Sequence, residues 1–413
     1  MVGLIFQEHI WLYKRYFWLY MQCIYFYIFI DSKRIYIIKD RGEILMDRFD
    51  EPERKRMSAN LSQIDVRQFS SDKILKHLDR VNEWLKGRNP SPITVELDMT
   101  NICNHKCPEC VVNYFRVNDK SFLSSRLAKK IILQLAKNKI RGLIFTGGGE
   151  PLCNAHTLEM VKLAKAKGLD IGFITNGSLL NNKSAEVLLK HCTWIRISLD
   201  AGSPEVFAST HGINGNEFYK VVSSIDMLVK MKKKIKSQCT IGLGFLTSDY
   251  TKPDMVKATL LAKRLGVDYL QFRPMQIHKG GEFGYHWADV QNEISKCLKY
   301  SSNGFKVLYS QHKYEMVHDV QFGRYYKKCY GHQFAAVISA SGKMYICCHT
   351  RGYDKYCIGD LKKKSFRQIW DSKDRIKAIK SIDFRDCIPL CRDNTFNQIL
   401  WNIKQTREHV NFL

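Results

Sequence analysis

The chain has 413 residues, of which 45% are hydrophobic and 25% charged, and it carries a formal net charge of +25. That length supports one large α/β domain with a smaller one beside it, and the composition is that of a soluble globular protein, not of a disordered chain. The excess of Lys and Arg is dispersed, with only short runs such as 232–234 and 362–364, so it marks solvated faces and the bias of an AT-rich genome better than a nucleic-acid stripe.

Residues 16–30 read YFWLYMQCIYFYIFI, without charge and flanked by Lys14, Arg15 and Asp31. The stretch falls short of the roughly 20 residues that a spanning helix needs, and its tyrosines suit an interface. It lacks a small-residue cleavage site, which argues against a signal peptide. A weak membrane-surface anchor, a poor transmembrane helix and a start codon set too far upstream all remain as readings. The last is preferred, because Met46 and Met57 both precede ordinary globular text, and residues 1–45 are set aside from the fold. Membrane association is expected only through 16–30. A helical lead-in is expected over 58–90, from the spacing of Ile74, Leu75, Leu78, Val81 and Leu85, broken at 87–92.

Strands are then expected at 94–97, 143–146, 171–175, 194–198, 240–245 and 269–272. Amphipathic helices fall at 126–138, 156–167, 183–191, 217–233 and 254–265. Such alternation implies right-handed βαβ units and a parallel sheet. Six units without a dinucleotide-type glycine fingerprint after the first strand predict an α/β fold, a partial (β/α)6 barrel over 91–280, with its chemistry on loops at the strand C-terminal ends. Past 280 the alternation fades, and a small cysteine-rich module is expected over 325–400.

Fourteen cysteines in a chain this long, clustered at short spacings, suggest metal or Fe–S ligation better than disulfides. After the first strand come Cys103, Cys107 and Cys110, spaced C-x3-C-x2-C. Three thiolates in one loop leave one iron of a 4Fe-4S cube open for another ligand, as catalytic metal sites do. Zinc is the competing reading, although it wants four ligands and His105 falls awkwardly between two of the cysteines. The second strand ends in TGGGEP at 146–151, where glycines permit close backbone approach and Glu150 offers a carboxylate to an amino group. A tight βα turn would read the same way in isolation.

Both motifs, in this order over about 95–275, resemble the radical S-adenosylmethionine (SAM) superfamily. The resemblance implies that Cys103, Cys107 and Cys110 hold a 4Fe-4S cluster and that Gly148, Gly149 and Glu150 bind the methionyl amino group of SAM. It also implies that Asn176, Ser198 and Asp200 touch the rest of SAM or the substrate. A one-electron donor such as a flavodoxin or ferredoxin would reduce the cluster, and the 5′-deoxyadenosyl radical would abstract a substrate hydrogen. One departure is Glu109, where the family often has an aromatic residue; Tyr114 or Phe115 is expected to cover the adenine instead.

Further on, Cys329, Gly342 and Cys347 give C-x12-G-x4-C, followed by Cys387 and Cys391. This resembles the SPASM/twitch modules of radical SAM enzymes, in a reduced form with one auxiliary 4Fe-4S cluster on Cys329, Cys347, Cys387 and Cys391. Cys348 and Cys357 are alternative ligands, and a zinc knuckle is the competing site. A cytoplasmic enzyme is implied, acting on a sugar-like or other small metabolite by oxidation, epimerisation or dehydration, as in the aminocyclitol dehydrogenase branch it resembles. A maturase of ribosomally made peptides or sulfatases is the alternative. A zinc-containing nucleic-acid-binding protein is a remote one, since it leaves TGGGEP unexplained. His211, His278, Tyr285 and His312 are further polar candidates.

Overall fold

A computed structural model describes residues 70–405 apart from 280, 281, 287 and 319–323, with the strands inside 28–46 and a few positions after 405. Residues 58–69 and 16–27 lie outside the described residues. The chain forms two units, 1–65 and 66–413. In the first, Ile28–Asp31 (β1), Arg34–Lys39 (β2) and Glu43–Met46 (β3) pair as an antiparallel meander.

In the second, six parallel strands follow in chain order: Thr94–Asp98 (β4), Gly142–Thr146 (β5), Asp170–Thr175 (β6), Trp194–Ser198 (β7), Thr240–Thr247 (β8) and Tyr269–Pro274 (β9). The crossover helices are Ser125–Lys137 (α1), Thr157–Ala166 (α2), Asn182–His191 (α3), Glu217–Lys234 (α4) and Met255–Leu265 (α5). Helix α1 shows why they form. Its N-terminus is capped by Ser124, which accepts from Leu127 N, and Ala128, Ile131, Ile132 and Leu135 make one buried stripe. Burying each large apolar side chain of this kind stabilises the fold by about 1.5–3 kcal/mol.

Alternation along the strands sorts the two faces of the sheet. In β7, Ile195 and Ile197 are fully buried, while Trp194, Arg196 and Ser198 are only partly so. Arg196 and Ser198 line a cavity inside the barrel, which puts the isoleucines on the opposite, helix-covered face.

The sheet does not end at the sixth strand. A hairpin of Gln276–Lys279 (β10) and Glu282–Tyr285 (β11) follows, and then Lys306–Tyr309 (β12) adds in parallel to β9. At the other edge Ala335–Ile338 (β13) pairs in parallel with β4, and Lys343–Tyr345 (β14) and Cys357–Asp360 (β15) continue antiparallel. The ten-stranded order is β12-β9-β8-β7-β6-β5-β4-β13-β14-β15. The cysteine-rich segment is thus hydrogen-bonded into the same sheet as the barrel. Nothing in the spacing of its cysteines signalled this, because strand pairing of that range depends on tertiary packing.

Candidate functional site

One cavity of about 520 Å³ opens at the C-terminal ends of the barrel strands. Cys103, Cys107 and Cys110, Gly148, Gly149 and Glu150, and Asn176, Ser198 and Asp200 all line it. Nine residues spread over almost a hundred positions therefore meet at one place.

The cysteine loop is held against the glycine-rich loop by backbone bonds: Gly149 N donates to Thr100 O at 2.9 Å, and Glu150 N to Ile102 O at 3.0 Å. This contact accounts for the glycines. A Cβ on Gly149 would lie 2.0 Å from Ile102 O, and one on Gly148 would lie 2.2 Å from Asn101 Oδ1. The side-chain direction of both residues is filled by protein, so it is their backbone that faces the cavity.

Glu150 is 3% exposed. Its carboxylate accepts from Asn176 N at 2.8 Å, Thr175 Oγ1 at 2.7 Å and Leu152 N at 3.2 Å. Burial nevertheless pushes its pKa up to about 7. Two carboxylate oxygens offer about four acceptor positions, so one stays open to a cationic ligand. Asp200 sits in the left-handed region at φ 53° and accepts from Leu246 N at 2.7 Å.

Behind Cys107 stands a buried histidine pair. His211 Nε2 is 3.0 Å from Leu199 O, so that nitrogen carries the proton, since a carbonyl only accepts. His211 Nδ1 then faces His105 Nδ1 at 3.2 Å and Cys107 Sγ at 3.7 Å. Burial, and secondarily His211, lowers the His105 pKa to about 3, so the ring is neutral. His105, Cys107 and His211 have the spacing of a metal-ligand trio. Sequence order hid it, since Cys107 and His211 are 104 positions apart.

Of the remaining candidates, His312 lines the cavity and His278 and Tyr285 do not. The expectation for Tyr114 and Phe115 is corrected. Neither lines the cavity, where Glu109, Val111 and Val112 stand instead. Tyr114 turns toward the C-terminal module, donating to Arg351 O at 2.5 Å and packing against Tyr353 with ring centroids 5.1 Å apart. Phe115 meets Gly352, where a Cβ would lie 2.7 Å from Phe115 Cβ.

In the module a second, smaller cavity of about 60 Å³ is lined by Cys329, Cys347, Cys387 and Cys391, with Cys348 beside them. Cys357 does not line it; its thiol turns to Gly359 O at 3.8 Å. Asn397 anchors the first cysteine, donating to Cys329 Sγ at 3.5 Å while its Oδ1 accepts from Tyr330 N and Gly331 N. Arg324 Nη2 donates to Ile388 O and Pro389 O and so fixes the turn between Cys387 and Cys391.

Comparison with known proteins gives two family matches. Residues 97–251 match the radical SAM superfamily, and residues 329–393 match SPASM, an iron-sulfur cluster-binding domain. The chain is 24% identical over 309 residues to an AdoMet-dependent heme synthase of Methanosarcina barkeri, covering 70% of this chain and 85% of that protein. It is 23% identical over 333 residues to a tungsten-containing aldehyde ferredoxin oxidoreductase cofactor-modifying protein of Pyrococcus furiosus, covering 75% and 89%. A probable GTP 3′,8-cyclase of Thermococcus kodakarensis is 28% identical over 161 residues, 39% of this chain and about half (52%) of that protein. In fold, the chain is similar to SuiB of Streptococcus suis bound to S-adenosylmethionine, with TM-score 0.57, 12% identity and coverage of 86% and 89%. It is also similar to anSMEcpe with bound AdoMet, with TM-score 0.52, 17% identity and coverage of 70% and 83%.

Proposed function

The chain belongs to the radical SAM superfamily and carries a C-terminal SPASM module, which together bring a 4Fe-4S cluster, SAM and an auxiliary Fe–S cluster; on that premise we propose that it modifies a small metabolite, at the 520 Å³ cavity inside its barrel. The observation that carries this reading is the meeting of all nine candidate residues on that cavity. The residues fit the group. Three thiols in one loop leave one iron of a 4Fe-4S cluster open, and the backbone of 148–149 faces the space beside Glu150.

In this reading Cys103, Cys107 and Cys110 hold the first cluster, and Cys329, Cys347, Cys387 and Cys391 the auxiliary one. Glu150 receives the methionyl ammonium at its open acceptor position, with Gly148 and Gly149 beside it. Asn176, Ser198 and Asp200 contact the remainder of SAM. When bound, the cluster and SAM supply a 5′-deoxyadenosyl radical that takes a hydrogen atom from the substrate. The chain's own part is to orient the substrate in the barrel and to exclude water from it. Reduction would come from a one-electron donor such as a flavodoxin or ferredoxin in the cytoplasm. A small-molecule substrate is supported by the relatives, two of which are named for a heme and for GTP; oxidation, epimerisation or dehydration would be the outcome.

The test is anaerobic reconstitution, iron counting, and incubation with SAM and dithionite. About eight irons per chain and release of 5′-deoxyadenosine are expected. Bound zinc without SAM cleavage would overturn the reading, and turnover of a peptide in place of small metabolites would replace its substrate class.

A further inference from the structure

The interior of the barrel gathers three cations, Arg196, Arg273 and Lys313, on one cavity. Strand β8 reads TIGLGFLT, and its alternate glycines make room in the lumen for side chains from β7 and β9. A Cβ on Gly242 would fall inside the Tyr269 ring, at 1.9 Å from its Cζ. At Gly244 a Cβ would stand 3.3 Å from Arg273 Nη2 and 3.7 Å from Arg196 Cδ. The register explains the convergence. Gly244 is level with Ser198 on one side and Gln271 on the other, whereas Arg196 is paired with Gly242 and Arg273 with Leu246. One arginine therefore reaches up and the other down, and both meet at the height of Ser198. Lys313, 5% exposed, lines the same cavity.

Among the described residues none of Arg196, Arg273 and Lys313 has a carboxylate within ion-pair distance. Of the acids nearby, Glu96 is paired with Arg351 and Arg392, while Asp200 accepts from Leu246 N and raises the proton affinity of Arg196 and Arg273 without forming an ion pair with either. The Nε of Arg196 and the Nε of Arg273 are both buried with no hydrogen-bond partner. Their mutual repulsion shows in their proton affinities. Burial and then Arg196 bring Arg273 down to about 9, and burial and then Arg273 bring Lys313 down to about 7. Like charges gathered on one half-buried cavity wall cost stability unless an anion completes them.

We propose that the substrate is an organic anion, a carboxylate or a phosphate ester, whose charged end is held inside the barrel between Arg196 and Arg273, with Lys313 adding charge. Paired guanidinium groups suit the bidentate geometry of both anions. The inference rests on the small-metabolite reading above and names the chemical class of its substrate. The SAM carboxylate is the other source of the same chemistry, so the test separates the two.

The reconstituted holoenzyme, saturated with SAM, is titrated calorimetrically with inorganic phosphate and with glutarate, and the SAM affinity is measured separately. Wild type should bind one of these anions while SAM is bound. Arg196→Gln and Arg273→Gln should weaken that binding about 10-fold or more, the loss of one charge-assisted contact, and leave the SAM affinity within about 3-fold. Loss of SAM affinity in these variants, with retention of decarboxylated SAM, would overturn the proposal and assign the arginines to the cofactor. Absence of any anion binding to SAM-saturated wild type at millimolar concentration would also overturn it, whatever the variants do. SAM cleavage by the same preparation reports independently on the underlying reading.

Discussion

Arg351, from the cysteine-rich module, places its Nη2 2.6 Å from Glu96 Oε2 on the first barrel strand. Its Nε lies 2.9 Å from Asp98 Oδ2, and Arg392 adds a contact of 2.5 Å to the other oxygen of Glu96. Glu96, Asp98 and Arg351 are all less than 10% exposed. Burial lifts Asp98 to about 6 even beside Arg351, and the two carboxylates hold Arg351 firmly protonated. This network joins barrel and module where β13 pairs with β4.

Removing Arg351 should therefore be costly. Arg351→Met leaves Asp98 buried without its partner and Glu96 with Arg392 alone, and an uncompensated buried charge of this kind typically costs about 3–5 kcal/mol. Thermal unfolding should show the loss, with iron released from the module first. Adding Glu96→Gln and Asp98→Asn should recover most of it. If Arg351→Met melts like wild type, the network does not hold the two parts together.

With Glu150 as the proposed acceptor of the methionyl ammonium, SAM binding should depend on pH. The Glu150 carboxyl, raised by burial to about 7, holds a proton below that value and is ionised above it. The methionyl ammonium needs the ionised form, so SAM affinity should fall as pH drops through 7, by up to about 10-fold per unit. Glu150→Gln should bind SAM at least about 10-fold more weakly and show a flat profile between pH 6 and 8. Calorimetry of the reconstituted enzyme measures both. An unchanged slope in Glu150→Gln would place the titrating group elsewhere.

How far the sequence reads depends on the range of the contacts. The strand Trp194–Ser198 and the helix Ser125–Lys137 follow from local periodicity, and the residues of the cysteine and glycine loops stand at strand ends that the pattern already marks. What local text could not convey is pairing at long range. Glu96 and Arg351 are 255 positions apart, and only the addition of β13 to β4 brings them together. Arg196 was equally hidden, although the alternate glycines of β8 are a signal that large side chains of the neighbouring strands cross the lumen there. Tyr114 misled for the opposite reason. An aromatic residue close to a cofactor motif is expected to stack on the cofactor, and here it is drawn into the ring cluster with His278 and Tyr353.

The cysteines should divide cleanly between two functions. Cys107→Ala should lose about half of the iron and all SAM cleavage, while Cys391→Ala should lose the other half and still cleave SAM when reduced. Cys357→Ser should retain the full iron content, since its thiol faces away from the cavity that gathers the other cysteines. Iron analysis with electron paramagnetic resonance of the reduced variants distinguishes the two clusters. Loss of iron in Cys357→Ser would mean that it, and not one of the four, is a ligand.

The glycines give a graded test of how the two loops are held. In Gly148→Ala the new methyl group meets Asn101 Oδ1, the end of a side chain that can rotate away. In Gly149→Ala it meets Ile102 O at 2.0 Å, a backbone atom one residue before Cys103, and must displace the cysteine loop. Overpacking of this kind costs typically about 1–3 kcal/mol, and more when backbone has to move. Gly149→Ala should therefore reconstitute less iron at the first cluster than Gly148→Ala, with the auxiliary cluster intact in both. Equal iron contents in the two variants would show that the contact at Ile102 does not fix the cysteine loop.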